Sequence, residues 1–206
     1  MTSGAGMRPE TYRSGGPTDH ELLDIVDSGN RVIGQATRRE IHERGLMHRS
    51  VHVFLVDPQS RLYIQKRAAS KETFPGAHDS SAAGHVNAGE DYFACAVREV
   101  EEELGLSADQ HRMVQICELE AGEDNGWEHV RFYVAQTSHE PTPDPVEVAH
   151  GAFYDLDQVE DLIADSANHF APTFRALYIL YATRLHRMVE SGDLFRHLPN
   201  AHPHEH

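Results

Sequence analysis

Residues 84–106 read GHVNAGEDYFACAVREVEEELGL, and these 23 positions hold five glutamates, one arginine and three glycines. Leu104 followed by Gly105 is a helix C-terminal signal, because glycine takes the left-handed backbone that a capped end needs. Upstream, Asp91 suits the N-cap, where a carboxylate accepts from the free N–H groups of a first turn. The spacing predicts a helix of about 13 residues between them. Phe93, Val97, Val100 and Leu104 then share one apolar stripe. Glu99, Glu102 and Glu103 fall at i, i+3 and i+4, on a face set away from that stripe. Like charges so placed cost roughly 0.2–0.5 kcal/mol per pair on an isolated helix. They also sit toward the C-terminal half, where the helix dipole disfavours negative charge. A merely solvated face would carry Lys or Arg there. Hard divalent cations want clustered oxygen ligands, and Mg²⁺ takes carboxylates together with substrate phosphates. The pattern points to a metal site for phosphate chemistry.

The rest of the composition narrows the class. The chain has 206 residues, 39 % hydrophobic and 25 % charged, with a formal net charge of −15. That suits one sizeable globular domain with tails. The acidic balance argues against nucleic-acid backbone binding, which wants a basic surface. It leaves room for a small phosphorylated ligand, because a bound cation inverts the local sign. No apolar run reaches the ~18 residues of a membrane span. The opening MTSGAGMRPETYRSGG has no apolar signal core, and residues 1–19 read as a disordered leader. Cys95 and Cys117 stand without CxxC spacing, so both are expected to be buried thiols in a reducing cytosol. The chain carries 16 histidines. Several crowd the final HLPNAHPHEH, and residues 193–206 read as a polar tail without fixed metal geometry.

Periodicity places the elements between. Residues 22–26 and 31–36 form two arms around the turn Asp27-Ser-Gly-Asn30. Thr37 caps a short helix, RREIHERG, that stops at Gly45. Residues 51–56 form a strand, and 61–66 its returning partner across Asp57-Pro-Gln-Ser60. Residues 67–79 form a loop. After residues 84–106 come strands near 113–119, 130–136 and 149–156, a short helix at 157–164, and a closing helix from Pro172 to about Glu190. Strands and helices mix without strict βαβ alternation, which gives a mixed sheet flanked by helices and excludes a Rossmann arrangement.

The 84–106 stretch resembles the Nudix box, G-x5-E-x7-R-E-U-x-E-E-x-G-U with U aliphatic. Gly84, Glu90, Arg98, Glu99, Val100, Glu102, Glu103, Gly105 and Leu106 fill its nine defined positions. At average residue usage a chance match is on the order of one in 10⁸ chains or rarer. The resemblance implies an α/β/α sandwich over residues 20–192. It implies that Glu99, Glu102 and Glu103 ligate Mg²⁺ or Mn²⁺, joined by the Gly84 backbone carbonyl, and that Arg98 and Glu90 form a supporting salt bridge. The expected substrate is a small diphosphate whose charge the cation neutralises while it acidifies bound water. Candidates for the general base are Glu102 and Glu103, with Glu128 and Glu147 outside the box. Lys66, Arg67, Lys71 and Arg49 are candidates for the substrate phosphates.

A wider likeness covers roughly residues 20–185. The run from His48 through IQKRAASKETFPGAHDSSAAGHV resembles the Nudix branch related to type I isopentenyl-diphosphate isomerase. His48, His85 and Glu128 match places in that branch's histidine-rich metal site, while Ile41 and Gly126 stand where further ligands are expected. Ala83 stands where the isomerases carry their catalytic cysteine. Protonating an unactivated alkene needs a positioned acid, and alanine offers none. The expectation is therefore a divalent-metal-dependent hydrolase of a nucleoside diphosphate derivative or related small diphosphate. The alternatives are the isomerase and a non-catalytic nucleotide-sensing Nudix domain. Dimers are common in the family, which leaves a homodimer open. Trp127, the single tryptophan, is able to stack on a base or to pack on the sheet, and core packing is the expectation.

Overall fold

The computed structural model describes residues 17–71 and 73–196. Most of the expected leader 1–19, and residues 197–206 of the expected tail, lie outside the described residues. The first element is a hairpin of β1 (Leu22–Val26) and β2 (Val32–Thr37). Thr37 then caps α1 (Arg38–Arg44) in a full capping box with Glu40, and Gly45 ends it at φ 61. There follow β3 (His48–Val56), β4 (Leu62–Arg67), β5 (His78–Asp79), β6 (Ala82–His85) and α2 (Tyr92–Leu104). The chain continues with β7 (His111–Leu119), β8 (Glu128–Thr137), β9 (Val148–Tyr154) and α3 (Leu156–Ala164). It closes with α4 (Pro172–Leu180), a π-helical stretch over Tyr181–Leu185, and α5 (His186–Glu190). These last three make one helical path that starts on Pro172, where a missing N–H costs nothing.

Strand β3 is the axis of the mixed sheet. It runs parallel to β8 along its whole length, from His48↔Glu128 to Val56↔Gln136. Its side chains alternate between two cores. Val51, Val53 and Leu55 face Val100 and Leu104 of α2, while Phe54 and Val56 face Phe174, Leu177 and Tyr181. Each such fully buried side chain stabilises the fold by about 1.5–3 kcal/mol. The result is the expected sandwich of helices on both faces of a mixed sheet.

One expected pairing is different. Residues 51–56 and 61–66 are joined by a turn, but β3 and β4 meet only at Val56↔Leu62. Strand β4 pairs instead with β9, from Leu62↔Tyr154 to Arg67↔Val148, and with β5 at Gln65↔Asp79. Strand β6 takes the freed edge of β3, from Ser50↔His85 to Val53↔Ala82. Local turn signals cannot register this, because the partner strand comes from far along the chain. The splay between β3 and β4 opens the cleft described next.

Two further expectations are corrected. Cys95 is buried, but Cys117 is only half-buried on β7. Trp127 belongs to neither core; it sits half-buried at φ 66, its ring against Gly45 at the end of α1.

Candidate active site

Helix α2 begins where Asp91 accepts from the N–H groups of Phe93 (2.8 Å) and Ala94 (3.4 Å). It ends at Gly105, whose φ is 66 and whose absent Cβ would lie 2.9 Å from the Thr142 carbonyl oxygen. Its buried face is Tyr92, Cys95, Ala96, Glu99, Val100, Glu103 and Leu104. That corrects the stripe read from the sequence: Phe93 and Val97 are half-buried, and two of the three glutamates lie on the inward side. Glu102 alone projects outward, with 58 % of its side chain exposed. Residue spacing gives the relative angle of the glutamates but not which way the helix is rolled.

The Arg98 guanidinium ties the group together. Nε donates to Glu90 Oε1 at 2.8 Å and a terminal nitrogen to Glu90 Oε2 at 2.9 Å, the two-pronged geometry that suits Arg. Its other nitrogen donates to Glu99 (2.6 Å) and Glu102 (3.0 Å). Glu90 is held in turn by the Asn87 N–H. Glu99 lies so close over Gly84 that a Cβ there would fall 2.0 Å from its Oε1. Glu103 Oε2 accepts from the Gln65 side chain at 2.8 Å and from the Ala83 N–H at 3.3 Å. Burial pushes the Glu99 and Glu103 carboxyls up from the usual carboxylate range. The neighbouring carboxylates add to this, and Arg98 partly offsets it at Glu99. A crowded, desolvated set of oxygens of this kind is relieved by a hard cation.

A second group stands at the same cavity, which holds about 560 Å³ and which His42, His85 and Glu128 also line. His42 of α1, His48 of β3 and His85 of β6 bring ring nitrogens within 4.8 Å of one another. Glu128 Oε1 of β8 lies 3.7 Å from His48 Nε2 and 3.4 Å from His85 Nε2. The His48 Nδ1 donates to the Leu46 carbonyl at 2.9 Å, which leaves the Nε2 lone pair facing the cluster. That Nε2 is buried with no hydrogen-bond partner among the described residues. An imidazole oriented through its other nitrogen by a backbone carbonyl is a metal ligand's usual arrangement. Burial lowers His42 to about 2 and His85 to about 3, so both rings are neutral at neutral pH. Burial works to raise Glu128, but the adjoining His48 and His85 rings hold it well below the usual range. The third ring corrects the sequence reading. Ile41 is packed against Leu23 and Ala36, and its neighbour His42 turns to the cluster.

The four candidate cations separate. Arg67 lines the cavity, donating to Asp79 (3.1 Å) and the Thr73 carbonyl (3.0 Å). Lys71 lines it too, paired with Glu147. Lys66 is exposed and is not among the residues lining the cavity. Arg49 is turned to Asn30 and Asp24, outside the cavity. The sequence reading missed His42, Gln65 and the buried pair His52–Ser80. A signal existed for one of them: His48, Ser50 and His52 alternate along β3.

The chain resembles known proteins in sequence and in fold. The family profile described as NUDIX domain matches residues 46–177. An uncharacterized Nudix hydrolase of Streptomyces coelicolor is 49 % identical over 87 residues, covering 42 % of this chain and 48 % of that protein. The chain thus matches about half the length of that relative. The isopentenyl-diphosphate Delta-isomerase of Serratia proteamaculans is 31 % identical over 156 residues, 75 % of this chain and 87 % of the other. Among solved structures, DR0079 from Deinococcus radiodurans superimposes with a TM-score of 0.69 at 27 % identity, covering 80 % of this chain and all of that one.

Proposed function

The chain belongs to the Nudix family, and from that premise we propose that it is a divalent-metal-dependent pyrophosphohydrolase. Its substrate is a nucleoside diphosphate derivative or a related small diphosphate, cleaved at the phosphoanhydride bond, with a reducing cytosol as the setting. The observation that carries this is the placing of Glu99, Glu102 and Glu103 at the wall of one cavity, the first two held by Arg98 and the third by Gln65 and the Ala83 N–H. Glu99, Glu102 and Glu103, with the Gly84 carbonyl, would hold Mg²⁺ or Mn²⁺; His48, His85, His42 and Glu128 are soft enough as a set to hold a transition metal. A bound cation would neutralise phosphate charge and lower the pKa of water.

The chain's own residues do the rest. Arg98 fixes Glu99 and Glu102 so that they need not reorganise when charge develops. Gln65 holds the buried Glu103 from the sheet side. Arg67 and Lys71 supply positive charge at the cavity wall, although each now spends it on Asp79 or Glu147. Glu103 and Glu102 remain the box candidates for the base, with Glu147 beyond it. Glu128 is a weaker candidate, since its oxygen is taken up by the histidines.

One observation favours a second reading, the isomerase: the likeness to that enzyme extends over 75 % of the chain. Against it, Ala83 leaves no thiol at the matching position. A panel of nucleoside diphosphate derivatives and isoprenoid diphosphates with Mg²⁺ or Mn²⁺, read for phosphate release and for alkene isomerisation, separates the two. Phosphate or monophosphate release without isomerisation is expected. Isomerisation without hydrolysis would overturn the assignment.

A further inference from the structure

His52 belongs to neither metal group, yet it lines the same cavity. It lies on the β3 face that carries His48 and Ser50 in one direction and Phe54 and Val56 in the other. It therefore marks the boundary where that face passes from the histidine cluster to the apolar core. Across the β3–β6 ladder it stands opposite Ala83. The backbone N–H of Ala83 donates to Glu103 Oε2. The imidazole and the box carboxylates thus flank one residue from two sides.

Among the described residues the ring is held by one hydrogen bond. His52 Nδ1 lies 2.8 Å from Ser80 Oγ, and both residues are buried, at 6 % and 0 % exposure. Among the described residues that nitrogen is the only partner of the Ser80 hydroxyl. A buried hydroxyl proton seeks an acceptor, so the O–H donates to Nδ1 and the ring proton resides on Nε2. No protein group takes Nε2 among the described residues. Ser80 is itself fixed, its backbone N–H donating to Asp79 Oδ1 at 2.8 Å. Asp79 is in turn anchored by Arg67. Burial lowers the His52 pKa, which keeps the ring a neutral donor.

We propose that His52 is a substrate-contacting catalytic residue whose Nε2–H donates a hydrogen bond to the departing phosphate, with Ser80 as the positioning residue that fixes its tautomer. The proposal rests on the hydrolase reading above. In the step, water forms the new P–O bond and gives its proton to a cavity carboxylate. The bond to the bridging oxygen breaks, and that oxygen leaves with the electron pair on the departing phosphate. His52 keeps its proton and stabilises the growing charge, as donors preset toward a developing oxyanion do.

The full chain, labelled with ¹⁵N in its histidines, tests this by imidazole NMR with methylenediphosphonate and Mg²⁺ as the probe. His52 is expected in the Nε2–H tautomer, with its Nε2–H signal moving on adding the probe. Ser80→Ala is expected to lose the fixed tautomer. In turnover, His52→Phe should lower kcat by about 10²-fold with KM changed far less. His52→Gln, whose amide nitrogen falls near Nε2, should recover most of that loss, which a purely structural histidine would not show. A His52 signal that stays still while His85 moves would overturn the proposal alone. If no cavity histidine responds to the probe, diphosphate binding fails, and the His52 proposal fails with it.

Discussion

Two ligand groups share one cavity and are built in opposite ways. The carboxylates Glu99, Glu102 and Glu103 come from one helix, within five residues of each other, and Arg98 of the same helix binds the first two. The histidine group comes from α1, β3 and β6, with a carboxylate from β8. The first group is a helical spacing; the second exists only when the sheet is assembled. The first offers hard oxygen, the second imidazole nitrogen, so they suit different cations. A site made locally can be read from spacing, while a site made by strand pairing can be read only where each strand's neighbour is known.

The comparison is broken most severely at its helical side. Glu103→Gln removes a buried carboxylate while keeping its shape and its neighbour Gln65. Turnover should fall by about 10²–10⁴-fold with the fold intact, since general-base and metal roles each carry effects of that order. Steady-state kinetics beside a circular dichroism melt checks this, and unchanged kcat would remove Glu103 from the chemistry.

The histidine side is sharpened by His48→Asn, which deletes the nitrogen already oriented by the Leu46 carbonyl. Mn²⁺ affinity at that group should weaken by about 10–100-fold. Mg²⁺-supported hydrolysis should fall less than it does in Glu103→Gln. Mn²⁺ titration followed by electron paramagnetic resonance, run on both variants, would show two classes of site; loss of the same class in both would merge them.

The smallest effect is on stability with a chelator present. Glu99 and Glu103 are raised, so the folded chain keeps protons that the unfolded chain has lost, and stability falls as pH rises. His42 and His85 are lowered to about 2 and about 3, so their contribution is lost as pH falls below the ordinary histidine value near ~6.5. The two trends oppose each other below ~6.5, and above it only the glutamates act. Urea melts should therefore show stability declining from about pH 6.5 until the glutamates have lost their protons at about 8, by at most about 1.4 kcal/mol per pH unit for each retained proton. Glu103→Gln should flatten that slope, and Mg²⁺ should reverse it by binding only the folded state. A slope unaffected by both would place its origin elsewhere.

Several details show where sequence reading stops. The caps of α2 at Asp91 and Gly105 were legible, because capping is a contact between near neighbours. The roll of α2 was not, since it depends on which side β3 and β8 approach. That roll turned Glu99 and Glu103 inward and left Glu102 outside. The same limit hid Arg49, whose charge is used on Asn30 of the hairpin, and the partnership of Gln65 with Glu103 across 38 positions. Trp127 was misplaced for a related reason. A large apolar ring favours burial, but its left-handed backbone in the 122–128 turn points it at the end of α1.

By itself, the sequence determined the helix, its caps, the ordered spacing of three glutamates with Arg98, and the family they mark. Those depend on a few adjacent residues and on the 3.6-residue turn. Only the tertiary structure decided which glutamates are buried, that His42 rather than Ile41 joins His48 and His85, and that His52 reaches the cavity. These depend on the divergence of β3 from β4 and on β6 filling the edge between them. Such pairings join residues far apart in the chain, whose cost and reward local propensity does not record.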